Sequence, residues 1–282
     1  ESITCALAHG YRHIDTAFTY GNQQLIGKAV LNANLPREDL YVTSKLHIYN
    51  NFYKDAKQKI KEAINLIWGN SHHSNMNYLD CFMIHYPGVG RPLSAWQAII
   101  EAQKNGLIKH AGVSNFEIKH LEIIKNATGR FPEVNQIEYH PWIYKEQSEL
   151  VKFCHEHGIA VEGYSPLAQG KDLNNGVIKK LADLHKTTPA RIVLKWCMQH
   201  GVKPVIGSRN QDNIKMNAAT YNFELSDNDV EILNNLSLSS PIRVSLQWNW
   251  NPSKAGFGGP VPGQNLLKKI LLKAESIKNS TI

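Results

Sequence analysis

The sequence predicts a (β/α) barrel, a TIM-type fold of about eight strand-helix units with seven strands inside this chain. Two observations predict it. Short apolar runs alternate with amphipathic helical stretches along 282 residues, a repetition that belongs to a parallel sheet. Nearly every apolar run also ends on a polar side chain: Asp15, Lys45, His85, Ser114, Tyr164 and Ser208 fall at or near strand ends, as does Gln136. In a closed barrel all those ends face one mouth, whereas in an open sheet only the strands beside a switch point meet a ligand.

The strands are expected at Arg12–Thr16, Tyr41–Lys45, Cys81–His85, Ala111–Ser114, Asn135–Tyr139, Ala160–Ser165 and Pro204–Ser208. Helices are expected between them, among others at Asp55–Trp68, Pro92–Asn105, Lys145–His157 and Asn175–His185. Glu1–His9 reads as a helix that leads through Gly10 into the first of these strands. A barrel closes only when each edge is paired, so an eighth strand is expected before Glu1, and a chain extended there should be more stable. Residues 1–236 carry the barrel pattern, and 237–282 read as a loop and helix of the same domain. In that last part Ser237–Gly263 is rich in Pro, Gly, Asn and Trp, and Gln264–Asn279 places Leu266, Leu267, Ile270, Leu271, Ala274 and Ile277 on one helical face.

Composition narrows the partners. Lys plus Arg is 31 against 24 for Asp plus Glu, a formal charge of +7 that suits a phosphorylated small molecule. No dense basic cluster is interleaved with aromatics, so nucleic acid is not an expected partner. No stretch is long and apolar enough for membrane insertion. Cys5, Cys81, Cys154 and Cys197 are scattered and read as reduced, mostly buried thiols of a cytoplasmic protein. His72, His73 and the group Cys154, His155, His157 lack a full ligand set, so no metal is expected.

Asp15, Tyr20, Lys45 and His85 are the candidate chemical residues. A free phenol titrates near 10, too high for easy proton release at neutral pH. An adjacent ammonium lowers that value. Lys45 is expected to supply the charge, Asp15 to hold Lys45, and His85 to orient a carbonyl oxygen or tune Tyr20.

The context of these residues, GYRHIDTAFTYGNQQLIG from Gly10 to Gly27, resembles the first motif of the aldo-keto reductase family through Gly10, Tyr11, Arg12, Asp15, Ala17, Gln23 and Gly27. Gln23 stands where Glu is commoner. The resemblance continues through YVTSKL, YLDCFMIHYP, GLIKHAGVSNF, VNQIEYHP and VEGYSPLAQG, covering about residues 3 to 236. It implies an oxidoreductase, of the aldehyde reductase type, that reduces aldehydes and ketones to alcohols by hydride transfer from NADPH. Tyr20 would be the proton donor, with Asp15, Lys45 and His85 as its catalytic partners. Ser114, Asn115 and Gln136 would hold the nicotinamide carboxamide, Tyr164 would stack on its ring, and Ser165 and Leu167 would follow the pyrophosphate.

The last cofactor motif, VIGSRNQDNIKMN, departs from the family. Gly207 replaces the usual Lys and Asn213 the usual Arg, whereas Ser208 and Asn217 fit. Arg209 is the candidate grip on a 2′-phosphate, which favours NADPH while leaving NADH open. A short loop after His85 implies an open substrate pocket, with Tyr49, Tyr86, Trp142 and either Trp248 or Trp250 as walls. The GFGGPVPG stretch lacks a strand-to-helix context and reads as a loop. The rivals are a cofactor-binding regulatory barrel and a catalytically impaired one lacking its first strand. The expected state is a monomer.

Overall fold

In the computed structural model, residues 1–46, 52–69, 78–88, 91–239 and 241–245 are described. Tyr49, His72, His73, Trp248, Trp250, the GFGGPVPG stretch and the expected helix Gln264–Asn279 lie outside them. In chain order the elements are α1 (Ser2–Ala8), β1 (His13–Asp15), α2 (Gln23–Asn32), β2 (Tyr41–Lys45), α3 (Tyr53–Trp68), β3 (Leu79–Ile84), α4 (Pro92–Lys104), β4 (Ile108–Ser114), α5 (Ile118–Thr128), β5 (Val134–Glu138), α6 (Tyr144–Glu156), β6 (Ala160–Tyr164), α7 (Gly176–Leu184), α8 (Pro189–Gln199), β7 (Val202–Val205), α9 (Gln211–Ala218), α10 (Asp227–Asn234) and α11 (Leu236–Ser239). The described part of the chain forms two compact units, one built on Arg12–Pro132 and one joining Glu1–Tyr11 to Glu133–Val244.

In the Arg12–Pro132 unit the strands run parallel in the order β1, β2, β3, β4. All six residues of β3 are buried, as expected of a parallel strand covered on both faces. The helices meet the strands through single stripes. Ala56, Ile60, Ala63, Ile64 and Ile67 are buried on α3, and Pro92, Ala95, Trp96, Ile99 and Ala102 on α4, both at helical spacing. Each large side chain so buried stabilises by about 1.5–3 kcal/mol. The α5 helix starts on a reciprocal cap between Glu117 and His120 and stops at Gly129, whose φ of 78° suits a residue without a Cβ.

Two contacts fix how these layers meet. A Cβ on Gly27 of α2 would lie 1.9 Å from the Ile67 carbonyl oxygen of α3, so the helices touch backbone to side-chain-free backbone there. Near the strand starts, buried Arg37 pairs with buried Asp80 at 2.6 Å and lies between the rings of Trp68 and Tyr78. Asp80 also accepts from the Val42 amide and from Lys109, tying the beginnings of β2, β3 and β4 to one carboxylate. Its added hydrogen bonds are what make burial of this ion pair tolerable.

In the second unit β5, β6 and β7 are parallel neighbours. The Tyr11 hydroxyl donates to the Ile214 carbonyl, so α1 rests against α9. Helix starts are capped by side chains: Thr188 for α8, Asn210 for α9, and the reciprocal Ser226–Asp229 pair for α10. Predicted and observed strands agree in order and nearly in extent. The exception is the last, which spans Val202–Val205, so Ser208 lies in the loop beyond it rather than at a strand end. Gln136 likewise sits mid-strand in β5.

All four cysteines are free, with Cys5 the partly exposed one. Among the described residues no helix is long and apolar enough to cross a membrane, and no group of three His, Cys, Asp or Glu side chains has a metal-binding arrangement.

Candidate active site

Asp15 and Lys45 are the last residues of adjacent parallel strands; the register pairs Asp15 with Thr43, so Lys45 stands two residues further along β2 on the same face as Thr43. A short 3-10 turn, Phe18–Tyr20, closed by left-handed Gly21, returns the chain so that Tyr20 meets them. Lys45 is fully buried. Its Nζ donates to Asp15 Oδ1 at 2.5 Å, to the Thr16 carbonyl at 3.2 Å and to Tyr20 Oη at 3.5 Å. An ammonium has three donors, and these three oxygens surround it. Because Tyr20 Oη accepts from Lys45, its own O–H is left to donate elsewhere.

His85 follows β3 directly, and its ring meets the Tyr20 ring edge-on at 5.8 Å between centroids. Thr19 Oγ1 is 3.3 Å from His85 Nδ1. Asn115, in left-handed backbone with φ 65°, donates from Nδ2 to the His85 carbonyl and to Ser114 Oγ. The four expected chemical residues are therefore together, with Ser114 and Asn115 packed against the base of His85.

The expected effect of Lys45 on Tyr20 is present but does not prevail. Burial of the hydroxyl end raises the Tyr20 pKa above 10.0, Lys45 pulls it down, Asp15 pushes it up again, and the net direction is upward. The residue as a whole is 49% exposed, so the ring is open to a ligand while its oxygen sits beside a buried cation. A raised pKa keeps the phenol protonated at neutral pH. Lys45 is then placed to act on a phenolate only as one forms.

In the second unit Gln136 Nε2 donates to Glu162 Oε2 at 2.8 Å, directly across from it in the β5–β6 register. Tyr164 ends β6 half-buried and leads into Ser165 and Leu167. Ser208 exchanges hydrogen bonds with the backbone of Asn210, whose side chain caps Asp212 and Asn213. Arg209 and Asn213 are exposed and Asn217 is buried. Of the expected pocket walls, Tyr86 and Trp142 are both fully buried, and the Trp142 indole N–H is donated to Asp172. Neither offers an exposed face.

Sequence reasoning passed over Thr19 and Glu162, whose contacts lie 66 and 26 residues away in the chain. It noted Gln23 without a reason for it. Gln23 is buried and its Oε1 accepts from Ser44 Oγ at 2.8 Å, so a neutral amide serves where a carboxylate would also accept.

Alternating parallel strands and helices, with the chemical side chains at the C-terminal strand ends, define the class of α/β-barrel enzymes. The comparisons with known proteins are narrower. A family model described as "Aldo/keto reductase family" matches residues 1–237, and the chain belongs to that family of oxidoreductases. It is 35% identical over 238 residues to a glyoxal reductase of Bacillus subtilis, covering 84% of this chain and 83% of the relative. It is 36% identical to the methylglyoxal reductase DkgA of Escherichia coli, covering 81% of each. Among solved structures it is similar to an aldo/keto reductase from Brucella melitensis, with a TM-score of 0.77 at 32% identity, over 83% of this chain and 88% of that one. An aldose reductase from Giardia lamblia gives a TM-score of 0.77 at 29% identity, over 86% and 88%. The fold class is thus the (β/α)8 barrel of this family, with seven parallel strands among the described residues.

Proposed function

We propose that this protein reduces aldehydes and ketones to alcohols with NADPH, and that Tyr20 gives the proton. One observation carries the proposal: buried Lys45 bridges the Asp15 carboxylate and the Tyr20 hydroxyl, leaving the Tyr20 O–H to donate outward. Asp15 keeps the ammonium in place. His85, set by Thr19 and Asn115, offers a second polar group beside Tyr20 where the carbonyl oxygen of a substrate would turn.

The nicotinamide cofactor supplies the hydride. The side chains present suit such a group. Tyr164 presents a half-buried ring at a strand end, Ser165 and Leu167 follow it, and Arg209 is an exposed cation just before α9. Ser114, Asn115, Gln136, Ser208, Asn213 and Asn217 complete the proposed contacts. The names of the relatives from Bacillus subtilis and Escherichia coli make small dicarbonyl compounds the first substrates to try.

The test is NADPH oxidation with glyoxal, methylglyoxal and simple aldehydes, alongside Tyr20→Phe. Turnover by the wild type, lost in Tyr20→Phe with cofactor affinity kept, is the expected result. Cofactor binding without turnover on any carbonyl would overturn it in favour of a regulatory barrel.

A further inference from the structure

The segment that joins β6 to α7 has an unusual backbone. Ser165, Ala168, Gln169 and Asp172 all have φ between 46° and 58°, and Gly170 has φ 81°. Residues with a Cβ avoid this region, so four of them within eight positions need surroundings that impose it. Internal hydrogen bonds supply part of that. The Ala168 amide donates to Ser165, Gly170 to Leu167 and Lys171 to Ala168.

The far end of the segment is held from outside. Asp172 Oδ2 accepts from Trp142 Nε1 at 2.9 Å and from Asn175 Nδ2 at 3.0 Å. Trp142 is fully buried in the 3-10 turn Pro141–Ile143 after β5, and its carbonyl accepts from the Ile242 amide. Asn175 caps α7 by accepting from the Val177 amide. One exposed aspartate thus ties the contorted segment to a buried indole on one side and a helix start on the other.

We propose that Asp172, through Trp142, is a positioning residue that holds the left-handed segment Ser165–Asp172 in the form that presents Ser165 and Leu167 to the cofactor. This rests on the reading of those two residues given above. The bond is worth having because an indole N–H buried without an acceptor is unfavourable, so the segment is held wherever that N–H is satisfied. A carboxylate acceptor strengthens it further.

Three variants test the proposal: Asp172→Ala, Trp142→Phe and Asp172→Asn, whose amide oxygen accepts the same bond. The first readout is amide hydrogen exchange of the free protein, which needs no cofactor. Faster exchange confined to Ala168, Gly170 and Lys171 is expected in Asp172→Ala and Trp142→Phe, and protection returns in Asp172→Asn. Exchange that rises evenly across the unit, or not at all, overturns the proposal. The second readout is the NADPH Kd, expected to rise about 10-fold in either single variant and no further in the double, with kcat nearly kept. Single effects that multiply in the double, or Asp172→Asn no better than Asp172→Ala, also overturn it. If the wild type itself binds no nicotinamide cofactor, the function proposed above fails while the exchange experiment still decides the role of Asp172.

Discussion

The two halves of the proposed machinery are built on opposite plans. In the Arg12–Pro132 unit the reacting groups are preassembled, with Lys45 buried and three oxygens already around it. In the Glu133–Val244 unit the expected cofactor residues are mostly half-buried or exposed, and several are engaged with their neighbours, Ser208 with Asn210 and Gln136 with Glu162. Groups that must hold charge at fixed spacing are sheltered from water. Groups proposed to admit and release a large polar molecule are kept near it.

The sharpest way to break this contrast is to remove the proposed proton donor or its cation. Tyr20→Phe and Lys45→Met should each lower kcat by about 10²–10⁴-fold while leaving the NADPH Kd little changed. Single-turnover rates with cofactor titration check this, and a fall in affinity without a fall in rate would erase the distinction.

Asp15→Asn comes next. It leaves the buried Lys45 charge without its carboxylate and should cost about 3 kcal/mol of stability in urea unfolding. The exposed Arg209 should behave oppositely. Arg209→Ala is expected to shift stability by less than about 0.5 kcal/mol. It should lower kcat/KM for NADPH by about 10-fold and leave NADH unaffected. Equal losses with both cofactors would remove Arg209 from the 2′-phosphate.

The raised Tyr20 pKa gives a signed pH prediction. Burial first, with Asp15 adding to it against Lys45, stabilises the protonated phenol, so the proposed donor is loaded at every pH below 10.0. The ionisation of Tyr20 should therefore leave reduction unaffected through neutral pH and impose a fall only above 10.0. A loss of rate that follows Tyr20 ionisation near neutrality would reverse the assigned direction.

The smallest expected effect lies away from both sites. Burial disfavours the Asp229 carboxylate, but hydrogen bonds from Ser226 and His185 outweigh this and hold its pKa below 3.8. Its contribution is present above 3.8 and is lost as pH falls through the lower folded-state value. Asp229→Ala should cost about 1 kcal/mol at neutral pH by loss of the α10 cap, and less in strong acid, as read from unfolding midpoints.

Much of this was legible in the sequence because the signals are local. Tyr41–Lys45 was readable to the residue, and the ends of β1 and β3 nearly so, since each run of apolar residues stops on a charged or polar one. With those ends known, the meeting of Asp15, Lys45, Tyr20 and His85 followed. What escaped were pairings between distant residues. Nothing near Gln136 announces Glu162, and nothing near Trp142 announces Asp172 thirty positions on. Ser208 is the polar end of the expected strand Pro204–Ser208, although β7 stops at Val205. The direction of the Tyr20 shift was also beyond reach, because it depends on how deeply the hydroxyl sits.

The spacing of α2 and α3 has an unassuming custodian. Where Gly27 meets Ile67, the thickness of a single hydrogen atom sets how near two helices stand. A methyl there would work as a wedge, prising α2 and α3 apart. The closeness of two helices is thus machined into a residue that has no side chain at all.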